Sequence, residues 1–182
     1  MPFYVAGPGI APGSASPALV SQLDIGQTLL ELAGLPALPG DGRSFAAELS
    51  APDGALAAAA AAPRDRLVVE YYGGGYVVRG PCSAGCGVCA EDALNQLVDA
   101  PSNTYSALRI HNATHDLMYG EFRPQDAPAA HASTNWTEYY DLAADPYQLV
   151  NLAVGGRAPP ALLAQLSAEL FDLATCIGEQ CP

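Results

Sequence analysis

The chain has 182 residues, half of them apolar, with 19 acidic residues, seven arginines, no lysine and a formal net charge of −12. This length suits one domain with a real core, and the apolar share excludes a disordered tail. The acidic balance argues against nucleic acid and anionic membranes as partners, and no stretch reaches the apolar length of a membrane span.

The first segments predict an α/β arrangement. The apolar run from Pro2 to Val5 predicts a buried strand of a parallel sheet, and we expect its neighbouring strands to lie elsewhere. No charged region follows Met1, so no signal peptide is predicted. Asp24 is expected to cap a helix with Gln27 as its capping-box partner. An apolar stripe then predicts that this helix packs on the preceding strand, with the stripe at Ile25, Leu29, Leu32 and Ala33 and the end at Gly34 and Pro36.

Ser44 is expected to cap a short helix that runs to Leu49. The composition then changes to an alanine-rich stretch between Ser50 and Pro63, which has no pattern for burying one face. This stretch predicts a surface linker. We therefore expect three parts, namely residues 1–49, a linker over 50–66, and a second folded part over 67–182.

The second part is predicted to be a small α+β subdomain. Residues rich in β-formers predict four strands, at 67–72, 104–110, 117–122 and 136–142. Leucines at helical spacing predict a last helix from Pro160 to Thr175. Asp145-Pro146 predicts a turn after the fourth strand.

Some residue patterns are expected to carry no chemistry. Gly73-Gly74-Gly75 lacks the helix with Lys-Ser/Thr that a phosphate loop needs. The three histidines are interpreted as solvated turn residues; they are His111, His115 and His131. Nothing in the sequence brings Glu70 together with Asp92 or Glu121 as a carboxylate pair.

Five cysteines are present, at positions 82, 86, 89, 176 and 181. The C-x3-C-x2-C spacing of the first three resembles the cluster-binding motif of radical S-adenosylmethionine enzymes, but the sequence around it is too short for the barrel that follows such motifs. A zinc site on the same three cysteines would need a fourth ligand at short spacing, and the sequence offers none. Disulfides are therefore favoured over a metal or cluster and over free thiols.

Two sequons, Asn112-Ala113-Thr114 and Asn135-Trp136-Thr137, lie at predicted strand ends. A glycan attached at such a place would stand in solvent. Together with the cysteines, they predict a secretory, extracellular or lysosome-like compartment.

Two blocks of residues resemble sulfatases of the arylsulfatase and N-acetylglucosamine-6-sulfatase branch. The stretch from Trp136 to Leu152, WTEYYDLAADPYQLVNL, resembles the signature "YDL…DP…NLA" near the C-terminus of these enzymes. The N-terminal block follows the sulfatase pattern at Pro2, Phe3, Gly7 to Ile10, Leu19 to Ser21, Asp24, Thr28 to Leu30 and Asp41 to Ser44.

The resemblance implies a fold. Residues 1–49 would be the last strand and helix of the large alkaline-phosphatase-like domain, and the rest a small antiparallel sheet with a C-terminal helix. It also implies hydrolysis of sulfate esters, with a formylglycine made from cysteine in C-x-P-S-R and a calcium ion held mainly by aspartates. Neither feature is in this sequence, so no catalytic or calcium-binding residue is carried over.

The resemblance also bears on the cysteines. N-acetylglucosamine-6-sulfatases have a cysteine-rich loop before a sequence like that of Asn103 to Arg109, and a cysteine pair after the last helix. This implies a local disulfide between Cys176 and Cys181, a second among Cys82, Cys86 and Cys89, and one free thiol. Relatives of this type also carry cysteines where this chain has Ser106 and Gly120, which are expected to face one another.

Three hypotheses follow. The chain is the C-terminal part of a sulfatase that acts on aryl sulfates or 6-sulfated N-acetylglucosamine in glycans, and is inactive alone. The alternative is a non-enzymatic secreted binding module derived from that subdomain. The third is an iron–sulfur enzyme, which only the cysteine spacing favours.

Overall fold

The computed structural model describes residues 3–49, 64–73, 103–124 and 134–177. They fall into two compact units. One contains the described residues up to Leu67, together with Ile110–Thr114 and the residues from Thr175 on. The other contains the remaining described residues between Val68 and Ala174. The predicted linker, the cysteine-rich loop and His131 lie outside the described residues.

In the first unit, helix α1 spans Gln22–Leu32 and begins earlier than expected. Ser21, not Asp24, is its N-cap: the Ser21 hydroxyl accepts from the Leu23 amide at 3.4 Å. Asp24 completes the capping box by accepting from the Ser21 amide at 2.7 Å. The helix ends as predicted, because Gly34 adopts φ +68° and donates its amide to the Glu31 carbonyl.

The prediction that α1 packs its apolar stripe on a preceding strand is wrong. Phe3 to Val5 form no strand, and the buried residues of α1 are Asp24 and Thr28. Leu29, within the predicted stripe, is 61% exposed. The physical reason lies in two hydrogen bonds: Asp24 accepts from the Arg43 amide, and the Thr28 hydroxyl accepts from the Phe45 amide. These bonds hold the following loop over the polar side of α1.

A short helix, α2, follows at Ala46–Leu49. The Ser44 hydroxyl accepts from the Ala46 amide at 3.2 Å, as the predicted cap requires. Phe45 packs its ring edge-to-face with Phe3 at 5.8 Å between centroids.

The predicted small antiparallel sheet with a C-terminal helix is confirmed. The four strands are β1 at Arg66–Tyr71, β2 at Thr104–His111, β3 at Asp116–Arg123 and β4 at Trp136–Asp141, in the order β1-β2-β3-β4. Strand β3 pairs antiparallel with β4, with Tyr119 opposite Tyr139. The last helix, α3, spans Pro160–Thr175 as predicted and buries Leu166 and Leu170.

The two faces of the sheet differ in chemistry. The face against α3 carries the core residues Leu108, Ile110 and Leu117, and alternation along β2 and β3 places several polar residues on it too. The opposite face carries a row of rings, in which Tyr105 lies 5.5 Å from Tyr71 and 5.2 Å from Phe122. Among the described residues, no helix is long and apolar enough to cross a membrane.

Candidate functional site

The α3-facing side of the sheet holds a buried carboxylate, that of Glu121 on β3, which is 7% exposed. It accepts hydrogen bonds from the hydroxyls of Tyr119 at 2.7 Å, Thr134 at 3.0 Å and Ser167 at 2.5 Å. These donors come from β3, from the segment before β4 and from α3. A buried carboxylate is tolerated when hydroxyl donors replace its water, so Glu121 ties three elements together.

Tyr119 responds electrostatically to this carboxylate. Burial, the hydrogen bond to Glu121 and the negative charge on Glu121 all raise the pKa of the Tyr119 phenol well above its ordinary value. The phenol therefore stays protonated and remains a donor across the physiological range. A nearby tyrosine, Tyr139, also has a raised pKa, through burial and the charge of Asp141.

A second polar cluster lies on the same face, around Arg123, which is 7% exposed. Its guanidinium donates to the Ser106 hydroxyl at 2.6 Å and lies 3.7 Å from the Glu70 carboxylate. The Ser106 hydroxyl donates in turn to Glu70 at 3.2 Å. The Tyr72 ring lies 5.7 Å from the guanidinium carbon. Hydrophobic patterning did not predict this cluster, since Glu70, Ser106 and Arg123 come from three strands.

Neither cluster is equipped for ester hydrolysis. Ser106 bonds a carboxylate but is 3% exposed, so a substrate does not reach its hydroxyl in this conformation. Glu121 is also buried and surrounded by hydroxyl donors. Within the described ranges, no group of three or more histidine, cysteine, aspartate or glutamate side chains is placed to hold a metal ion.

The first unit contains its own buried ion pair. Asp24 on α1 is 2% exposed, and one of its carboxylate oxygens lies 2.8 Å from the Arg64 guanidinium. The same oxygen accepts from the Arg43 amide at 2.7 Å. Arg64 also donates to the Asp41 carbonyl at 3.0 Å. All ligands of Asp24 are internal, so this pair holds the loop after α1 and is a structural feature.

The segment that resembles the sulfatase signature folds into a closely bonded loop after β4. Asp141 accepts from the amides of Ala143 and Ala144. Asp145 accepts from the Val150 amide at 2.8 Å. Asn151 then anchors the loop to β4, because it accepts from the Tyr139 amide at 3.1 Å and donates to the Thr137 carbonyl at 3.0 Å. The polar residues of the signature are thus explained by backbone hydrogen bonding.

The two predicted glycosylation residues lie in different settings. Asn112 is in the turn between β2 and β3, where its side-chain oxygen accepts from the Thr114 amide and hydroxyl, both at 2.9 Å. Its amide nitrogen lies 3.4 Å from the Asp65 carboxylate. Asn135 is exposed directly before β4, and its backbone amide donates to the Phe122 carbonyl. Glycosylation at both stays a prediction.

Of the predicted disulfide residues, only Cys176 lies within the described part of the chain, and it is disulfide-bonded. Cys82, Cys86, Cys89 and Cys181 lie outside that part, so the pairing with Cys181 stays a prediction. His111 is the last residue of β2 and His115 immediately precedes β3, which agrees with their expected place at a turn.

The expectation that Ser106 faces Gly120 is wrong. Ser106 bonds Arg123 and therefore lies on the α3-facing side. A Cβ atom added to Gly120 would lie 3.7 Å from the Cβ atom of Ala107. Ala107 follows Ser106 on β2, so its side chain points to the face of the sheet opposite α3. Alternation along a strand thus separates the two positions, and cysteines there would not be placed to bridge.

The sheet-and-helix subdomain and the signature loop are those expected of a sulfatase C-terminal part, and comparison with known proteins agrees. No protein-family model matches the sequence. Curated sulfatases nevertheless match the chain over its whole length, so the chain is related to this class of enzyme and the resemblance found in the sequence is confirmed.

The relatives include N-acetylglucosamine-6-sulfatase of Bos taurus, 34% identical over 187 residues, a match that covers 100% of this chain and 30% of the bovine protein. Arylsulfatase of Chlamydomonas reinhardtii is 29% identical over 191 residues, with 100% of this chain and 26% of the algal protein covered. A putative extracellular sulfatase Sulf-1 homolog of Caenorhabditis elegans is 35% identical over 80 residues, or 44% of this chain and 10% of the relative. The chain thus spans less than a third of the length of these relatives.

Proposed function

We propose that this chain is the C-terminal part of a sulfatase whose whole protein hydrolyses sulfate esters. The observation that carries the proposal is the match of the entire chain to 30% of the bovine N-acetylglucosamine-6-sulfatase. The names of the relatives suggest two substrate types, aryl sulfates and 6-sulfated N-acetylglucosamine in glycans. The role of this part is structural: its buried clusters hold a rigid subdomain together.

The catalytic groups of the enzyme would come from outside this sequence. In a whole enzyme of this kind, a formylglycine would supply the nucleophile and a calcium ion would offset the charge on the transferred sulfuryl group. The sequence contains no C-x-P-S-R. The proposal is supported by the buried carboxylates among the described residues, Asp24 and Glu121, since both accept hydrogen bonds from internal donors. No reaction step is therefore assigned to a residue of this chain.

A secretory location belongs to the same proposal. It is supported by the two sequons, by the disulfide at Cys176 and by the name of the nematode relative, a putative extracellular sulfatase homolog. Disulfides persist in oxidising compartments and are rare in the cytosol.

The test is a graft. The aligned stretch of the bovine enzyme is replaced by this chain, and hydrolysis of 6-sulfated N-acetylglucosamine is measured on the secreted product. We expect activity from the graft, none from the isolated chain with or without calcium, and none from the bovine protein that lacks the stretch. Turnover by the isolated chain, or a secreted but inactive graft, would overturn the proposal. Binding of a sulfated glycan by the isolated chain together with an inactive graft would favour the binding-module alternative.

A further inference from the structure

A row of four aromatic side chains crosses the face of the sheet that lies opposite α3, with one side chain from each strand. The ring centroid of Tyr105 lies 5.5 Å from that of Tyr71 and 5.2 Å from that of Phe122. Phe122 is the register partner of Trp136, so the row continues onto β4. We call Tyr71, Tyr105, Phe122 and Trp136 the ring row. At the usual strand spacing the ring row is about 14 Å long, and it is one side chain wide.

The two ends of the ring row are its most accessible parts. Tyr71 is 38% exposed and Trp136 is 50% exposed, whereas Tyr105 and Phe122 between them are half-buried. Two exposed rings are therefore joined by a continuous aromatic floor. Aromatic side chains grouped in this way favour ligand binding, because they offer a large apolar contact area with few rotatable bonds to immobilise.

Polar groups on β4 fix the Trp136 end of the ring row and supply an acceptor. The Trp136 indole N–H donates to the Glu138 carboxylate at 3.1 Å. The Tyr140 side chain also hydrogen-bonds to Glu138, because alternate residues of a strand share one face. A carboxylate has about four lone-pair sites. Glu138 therefore retains acceptor capacity for a hydroxyl group of a ligand.

This combination of groups suits an uncharged sugar. A pyranose ring has a side of C–H groups, which packs on aromatic carbon and is attracted by the negative face of an aromatic ring. Its rim carries hydroxyls, which need acceptors such as Glu138. A sulfate group placed at this end of the row would be repelled by the Glu138 carboxylate and by the formal net charge of −12. The ring row therefore fits a stretch of sugar rings without sulfate.

The dimensions of the ring row argue against a separate protein as its ligand. A specific interface between two proteins buries at least about 1,000 Å² in total, which is more than a single line of four side chains provides. A linear chain of sugars needs only a long, narrow surface. A second copy of this chain would also carry a formal net charge of −12 and would be repelled.

We propose that the ring row binds an uncharged stretch of sugar rings within the glycan on which the sulfatase acts. Tyr71 and Trp136 contact the apolar sides of two sugar rings, and Glu138 accepts a hydrogen bond from a sugar hydroxyl. This inference rests on the proposed function, which supplies the glycan. The ring row holds the glycan chain, while hydrolysis takes place at groups outside this sequence.

The test is a fluorescence titration, because Trp136 is the only tryptophan in the chain. The chain is produced as Asn135→Gln, so that no attached glycan lies next to the ring row. It is titrated with chitotetraose, an uncharged tetramer of N-acetylglucosamine, and we expect a saturable change in Trp136 emission. The 6-sulfated tetramer should bind more weakly because of charge repulsion. N-acetylglucosamine alone should also bind more weakly, because it reaches only one end of the row.

Variants of the same chain show whether the ring row is the site. Tyr71→Ala should weaken chitotetraose binding roughly fivefold, because one ring contact is lost. Tyr71→Phe keeps the ring and should bind as the parent does. The matched control, Tyr147→Ala, removes a tyrosine that is 81% exposed on the loop after β4 and should leave binding unchanged. Equal losses in Tyr71→Ala and Tyr147→Ala, at unchanged melting temperatures, would overturn the inference. So would an unchanged emission at millimolar chitotetraose.

The graft described above separates this inference from the proposed function. Its KM is measured on 6-sulfated chitotetraose and on 6-sulfated N-acetylglucosamine, with and without Tyr71→Ala. A rise in KM that is larger for the tetramer supports the ring row. Chitotetraose binding by the isolated chain together with an inactive graft overturns the proposed function and leaves the sugar site standing. An active graft whose KM values do not respond to Tyr71→Ala overturns the inference alone, and is the result expected if another part of the enzyme covers the row.

Discussion

The Ser167 hydroxyl on α3 donates to the Glu121 carboxylate on β3 over 2.5 Å, across 46 positions of sequence. This bond fixes the helix on the sheet beside Leu166 and Leu170, the two residues that α3 buries. Specific polar pairs in an apolar setting select one arrangement of helix on sheet.

Ser167→Ala should lower the free energy of unfolding by about 1.5–3 kcal/mol, because a hydrogen bond to a charged group is lost and Glu121 loses one donor. Gln165→Ala, at an exposed position of α3, serves as the control and should change the free energy of unfolding by less than about 0.5 kcal/mol. Urea unfolding followed by circular dichroism measures both. Equal effects of the two substitutions would contradict a special role for this bond.

The raised pKa of Tyr119 predicts that the free energy of unfolding falls at alkaline pH. Its pKa is raised in the fold, so its contribution is complete below the ordinary tyrosine pKa of about 10 and is lost as pH rises above that value. Tyr119→Phe should therefore remove part of the alkaline decline in unfolding free energy. Part of the decline that persists in this variant should come from Tyr139 and Tyr140, because burial also raises their pKa values. Tyr147→Phe is the exposed control, and an unchanged slope in Tyr119→Phe would refute the coupling.

Asp24→Asn should loosen helix α1. The substitution leaves the Arg64 guanidinium without its buried counter-charge, and removal of one partner of such a pair costs about 3–5 kcal/mol. Hydrogen exchange of the α1 amides should rise strongly. Glu31→Gln, on the exposed side of the same helix, should leave exchange unchanged. Equal protection in the two variants would show that the ion pair does not hold the helix.

Peptide mapping without reduction should find Cys176 joined to Cys181. The two cysteines enclose four residues, including Gly178, which suits a small ring. A link from Cys176 to Cys82, Cys86 or Cys89 would instead mean that the last helix is attached to the cysteine-rich loop.

Expression through a secretory pathway should yield two N-linked glycans. Asn112→Gln and Asn135→Gln are each expected to lower the mass by one glycan, because both sequons lie at strand ends. Glycosidase treatment followed by mass spectrometry measures occupancy. An unchanged mass in either variant removes that residue from the set of modified positions.

Local sequence patterns predict the four strands and the last helix. Clusters of β-formers between turn residues placed the four strands within a residue or so at most ends, and leucine spacing placed α3 at Pro160–Thr175. These signals are local, because strand and helix periods depend on neighbouring residues alone. The relation to sulfatases was also visible in the sequence, since the signature and the N-terminal block survive as residue patterns.

The identity of the buried polar residues depends on contacts between segments that are distant in the sequence. Asp24 and Thr28 occupy the inner side of α1 because they accept backbone amides from residues 17 to 19 positions later. Glu70, Ser106 and Arg123 meet because three strands bring them together across 17 to 36 positions. A buried polar group requires a partner, and partners so distant in sequence leave no periodic signal. Hydrophobic patterning therefore predicts the four strands and α3, whereas long-range hydrogen bonds select the face that α1 buries.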